Sequence, residues 1–90
     1  MILQLSYELK TVEKDYSKLY SFLEKELATS SIHVLRDTWW LKYDGTKSIS
    51  EICDMIKEKM GENDVFFLSK LDKNEINGWM ASSNWKWLDE

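Results

Sequence analysis

Along this chain the spacing between apolar residues switches back and forth between two and three-to-four, and the order of those switches limits the fold most. In ILQLSYEL, Leu3, Leu5, Tyr7 and Leu9 alternate with Ile2, Gln4, Ser6 and Glu8, the period of a strand with one buried face. Tyr16, Leu19, Tyr20, Leu23 and Leu27 then recur at helical steps, which predicts a helix from about Asp15, a suitable N-cap, to Ala28. Alternation returns in two short halves, Ile32 and Val34 followed by Trp39, Leu41 and Tyr43, with Arg36-Asp37 placed for a tight hairpin turn. Beyond DGTK, Ser48 and Glu51 have capping-box spacing. Ile49, Ile52, Cys53, Ile56 and Met60 share a helical face up to Gly61, the expected stop. ENDVFFLSKL reads as a fourth strand that splits Phe66 and Phe67 between its faces, and DKNEIN as a polar loop. WMASSNWKWL closes the chain with one or two helical turns, capped by Ser82 or Ser83 and carrying Trp85 and Leu88 on one side.

The order β-α-β-β-α-β specifies one α+β domain over residues 1–90, a ferredoxin-like sandwich with a four-stranded antiparallel sheet and two helices on one face. The second sheet face must then be wet, meet a second subunit, or be roofed by the tail, residues 79–90. Composition bears on that choice. A chain of ninety residues hides only roughly 60–65% of its unfolded surface, so its five Trp, four Tyr and three Phe are costly to leave outside. Neighbouring Trp39 and Trp40 must face opposite sides of the sheet, and Trp40 falls on the open one. With Trp79, Trp85 and Trp87 it forms the candidate interface set, open to three readings: a roof on the sheet, a dimer contact, or stacking platforms for bases.

Twelve basic against sixteen acidic residues give a net charge of −4 without a basic block, which disfavours nucleic acid as a partner because phosphate binding draws on a cationic surface. A symmetric dimer could still gather Lys10, Lys14, Lys18 and Lys42 across its axis. No cofactor is expected: the chain has no phosphate-binding glycine loop, and one Cys and one His do not make a zinc site. His33 could act as a general base but reads better as an exposed hairpin histidine. Cys53, on an apolar helix face, reads as a small core residue. A lone cysteine, no spanning apolar run and a first decapeptide without a basic n-region point to a cytoplasmic protein with no membrane contact.

A first strand ending in Tyr7-Glu8, a helix opening DYSKLY, a hairpin with a TWW core, then ENDVFFL and a closing GW…W.W together resemble the small SinR-like proteins. These are similar in turn to the CRISPR-associated adaptation-nuclease subunit family and to VapD-like toxins. The resemblance implies a homodimer whose sheets face one another, with a metal-dependent phosphodiesterase site at the twofold axis. It carries over only Glu8, with Tyr7 beside it, as a catalytic residue and Mg²⁺ ligand. The family position is usually Asp, and the longer Glu side chain suits the tight octahedral shell of Mg²⁺ less well. Asp15 and Asp37 are the other acids expected near those loops. Two functions follow: a non-catalytic homodimeric interaction module, favoured by charge and by the missing Asp, and a Mg²⁺-dependent endonuclease acting through Glu8.

Overall fold

A computed structural model describes residues 1–11 and 15–90. Strand β1 (Ile2–Glu8) leads to helix α1 (Ser17–Ser21), which continues in wider turns over Phe22–Leu27. The hairpin β2 (Ser30–Leu35) and β3 (Thr38–Lys42) follows, then α2 (Ile49–Lys57), β4 (Val65–Leu71) and α3 (Ser82–Asp89). The strands form one antiparallel sheet in the order β2-β3-β1-β4, the ferredoxin-like arrangement.

The first core lies between the sheet and the two long helical segments. Leu3, Leu5 and Tyr7 of β1 and Trp39 and Leu41 of β3 point into it, meeting Leu19, Phe22, Leu23 and Leu27 from one helix and Ile52 and Ile56 from the other. The turns after Ser21 widen because Leu19, Leu23 and Leu27 repeat every four residues. On a regular α-helix a four-residue step drifts by about 40°, whereas i→i−5 bonding, as from the Ala28 N–H to the Leu23 carbonyl at 3.2 Å, winds more residues into each turn. All three leucines therefore stay buried.

Helix starts and stops depart in part from expectation. The α2 capping box is formed: the Glu51 N–H donates to Ser48 Oγ and the Ser48 N–H to Glu51 Oε1, each at 3.1 Å. Gly61 does not terminate α2, which ends at Lys57. Its exit tightens through bonds from Lys59 to Ile56 and from Met60 to Lys57. Gly61 instead permits a close approach, since a Cβ there would run into the Thr11 hydroxyl. Neither Ser82 nor Ser83 caps α3; Ala81 occupies the N-cap without a side-chain bond. Asp15 is not the N-cap of α1, a place Tyr16 takes without a side-chain bond, but its carboxylate does accept from the Ser17 N–H at 2.9 Å. Cys53 is half-buried, short of the core position expected for it.

A second, smaller core lies on the other sheet face, where Trp40, Trp87 and Leu88 pack with Ile2, Ile32, Leu71, Met80 and Trp85. Trp40 is only 2% exposed, so the tail is a roof. The Trp87 indole N–H fixes its placement by donating to Ser30 Oγ at 2.9 Å, while within the sheet the Trp40 indole N–H donates to Gln4 Oε1, also at 2.9 Å. Lys42 Nζ lies 4.4 Å from the Trp87 ring centroid and donates to the Trp87 carbonyl at 2.6 Å and the Glu90 carbonyl at 3.1 Å. It thus satisfies the C-terminal carbonyls of α3 with a positive charge where the helix dipole favours one.

Candidate functional site

Strand register divides the second sheet face into rows. Ser30, Lys42, Ile2 and Leu71 form the first, and Ile32, Trp40, Gln4 and Ser69 the second. Helix α3 covers both. The third row is Leu35, Thr38, Ser6 and Phe67, and the fourth pairs Glu8 with Val65. The roof stops before them. Leu35 is 54%, Phe67 57% and Val65 51% exposed. Thr38 and Ser6 join at 3.1 Å between their hydroxyls and form a small polar floor. Three inter-strand steps of about 4.8 Å set the width of this row at about 14 Å.

Two openings mark this half of the face. One, of about 400 Å³, is lined by Ser6, Tyr7, Glu8, Asp37, Val65, Phe66 and Phe67. The other, of about 260 Å³, lies beside Leu35 and Thr38 and runs under Ile76 to Met80. Trp79, 101% exposed, stands at its rim. Of the four tryptophans expected at an interface, Trp40, Trp85 and Trp87 pack into the intramolecular roof, and Trp79 alone is exposed.

Glu8 is exposed and pairs with Lys10 at 3.4 Å, a surface contact worth roughly 0–1 kcal/mol. Asp37 shares its groove, whereas Asp15 sits at the start of α1. Among the described residues no three His, Cys, Asp or Glu side chains gather as metal ligands. Tyr7 and Glu8 both border the opening of about 400 Å³, but alternation sends the Tyr7 side chain to the helix side of the sheet. There Tyr7 Oη accepts from the Trp39 indole N–H at 3.0 Å. Burial pushes the Tyr7 hydroxyl far above its ordinary pKa, against the opposing effect of the Trp39 bond.

His33 is also held structurally. Its ring stacks on Trp39 at 4.4 Å between centroids, and its Nε2 donates to the Arg36 carbonyl at 2.9 Å. Of the four lysines considered for phosphate contact, Lys42 serves α3 and Lys10 pairs with Glu8. Lys14 lies outside the described residues.

Sequence reasoning missed Asp64. Its carboxylate accepts from the backbone N–H groups of Lys10 at 2.6 Å, Thr11 at 3.1 Å and Gly61 at 2.6 Å, and from the Tyr16 hydroxyl at 2.6 Å. It joins the end of β1, the start of the first helix and the exit of α2. Burial by itself would raise the Asp64 pKa, but the hydrogen bonds from Tyr16, Gly61, Lys10 and Thr11 together outweigh it and bring the carboxyl down to about 2. The only sequence signal was an Asp immediately before a strand. Phe67 had a clearer one: strand alternation sent it and Phe66 to opposite faces, and the register with Ser6 puts Phe67 on the open one.

No protein-family model, curated protein or solved structure matches this chain.

Proposed function

We propose that this chain is a homodimeric interaction module that acts by presenting an aromatic sheet face rather than by catalysis. The observation that carries this reading is the half-finished roof: α3 covers two rows of the sheet and leaves Leu35, Val65, Phe67 and Trp79 exposed around the next two. Monomers expose large apolar side chains singly, whereas a grouped set with polar neighbours is typical of a surface that meets another protein. The resemblance to SinR-like proteins supports self-association, and the roof leaves the two outer rows of this sheet face uncovered.

A second reading is favoured by Glu8 and Asp37 sharing one groove: Mg²⁺ held there, completed by a second copy, would polarise a phosphoryl oxygen in an endonuclease. One experiment separates the two. Sedimentation of wild type and Glu8→Ala is paired with Mg²⁺ and Mn²⁺ cleavage assays on single-stranded RNA and on single- and double-stranded DNA. The module reading expects dimers for both proteins and no cleavage that depends on Glu8. Cleavage lost in Glu8→Ala at unchanged dimer content would establish the endonuclease instead.

A further inference from the structure

The sheet has two outer strands, and they differ. In β2 the pairing with β3 is interrupted by a bulge between His33 and Leu35, a common device for blunting an edge. Strand β4 runs straight for seven residues beside β1 without a register shift, and no described strand pairs with its other side.

Hydrogen-bond parity fixes which groups that side presents. The Tyr7 N–H donates to the Asp37 carbonyl and the Tyr43 N–H to the Met1 carbonyl, so odd-numbered residues of β1 bond toward β3 and even-numbered ones toward β4. Their partners Val65, Phe67, Ser69 and Leu71 use their backbone groups inward. Phe66, Leu68 and Lys70 therefore turn their N–H and C=O groups outward. This edge is reachable: a groove of about 610 Å³ touches Val65 on one sheet face and Phe66 on the other, which places it at the border of the strand.

We propose that β4 pairs antiparallel with β4 of a second copy, with Phe67 opposite Phe67 across the twofold axis, making a continuous eight-stranded sheet. The inference rests on the self-association proposed above and names its geometry. In this register Phe66 and Leu68 of opposite copies exchange both backbone bonds, and Val65 meets Ser69. The exposed Phe67 rings become a close cross-strand aromatic pair. Charge fits as well, because Lys70 comes opposite Asp64 of the other copy. The donors to Asp64 at Tyr16, Thr11, Lys10 and Gly61 are neutral groups, and no salt bridge among the described residues neutralises it.

The test uses disulfide trapping in a Cys53→Ser background together with sedimentation of the wild type. Opposed Phe67 positions would have Cα atoms about 4.5 Å apart, within the roughly 4.4–6.8 Å span of a disulfide. Phe67→Cys is expected to give a covalent dimer of twice 10.7 kDa under mild oxidation. Ser69→Cys alone is expected to stay unlinked, since its two copies would lie about 13 Å apart, but it should cross-link when mixed with Val65→Cys. Lys70→Pro removes an outward N–H that the monomer does not use, so it should shift wild-type dimer to monomer with its circular dichroism unchanged. A wild-type dimer with no Phe67→Cys cross-link and no response to Lys70→Pro would overturn the edge pairing and leave self-association standing. A wild type that sediments as a monomer at all concentrations would overturn both.

Discussion

Replacing Trp87 by Ala tests whether the tail is a structural roof. Its ring is buried against Trp40, donates to Ser30 Oγ and lies beneath Lys42 Nζ. Truncating a buried aromatic costs about 3–5 kcal/mol. Here the lower half of that range applies, because the loss can be limited by detachment of α3 from the sheet, which exposes Trp40 and Leu88 as well. A domain of ninety residues has a total stability of roughly 5–13 kcal/mol, so a loss near 3 kcal/mol would lower Tm by roughly 12–24 °C. Urea unfolding followed by tryptophan fluorescence, repeated over a dilution series to separate folding from assembly, gives the number. The comparison is Trp79→Ala, fully exposed and expected to stay within about 0.5 kcal/mol of wild type. A Trp87→Ala protein as stable as wild type when dilute, yet weakened in assembly, would refute the roof and place that ring in an interface.

Asp64 supplies a pH-dependent prediction. Its folded pKa is depressed from 3.8 to about 2, so the stability it contributes is present above about pH 4 and is lost as pH falls toward 2. Acid titration of unfolding should show that loss, and Asp64→Asn should remove it while costing on the order of 2 kcal/mol at neutral pH after allowing for solvent screening. Ser48→Ala removes the Oγ that accepts from the Glu51 N–H, leaving the backbone half of the α2 capping box, and should cost about 1 kcal/mol in urea denaturation, with helix content otherwise kept. Burial raises the Cys53 thiol above its ordinary pKa, so iodoacetamide should label it more slowly in the folded protein than in urea. Equal rates would mean that Cys53 is open to solvent.

Periodicity in the sequence was enough for the order of elements, and with it the sheet topology, because side-chain direction repeats every two residues in a strand and every 3.6 in a helix. It also separated Trp39 from Trp40 and found the Ser48–Glu51 box, since each depends on neighbours a few residues apart. Asp64 was not legible. Its donors at Lys10, Thr11 and Tyr16 are some fifty residues away in the chain, and an isolated Asp before a strand reads as a solvated carboxylate. Cys53 sat on an apolar stripe, but only packing decides how far that stripe is covered. The candidate site divided in the same way: alternation put Trp40 on the open face and parted Phe66 from Phe67, and tertiary structure set Phe67 on the same face as Trp40 and left it outside the cover of α3.

By itself, then, the sequence determined the α+β order, the two sheet faces and the demand that so many aromatic rings find cover. Tertiary structure decided the extent of that cover. The reach of α3 is set by Lys42 on its terminal carbonyls and by Ser30 accepting from the indole of Trp87. These contacts join residues distant in the chain, so no local pattern encodes them, and they fix the boundary beyond which Phe67 and Val65 face the solvent.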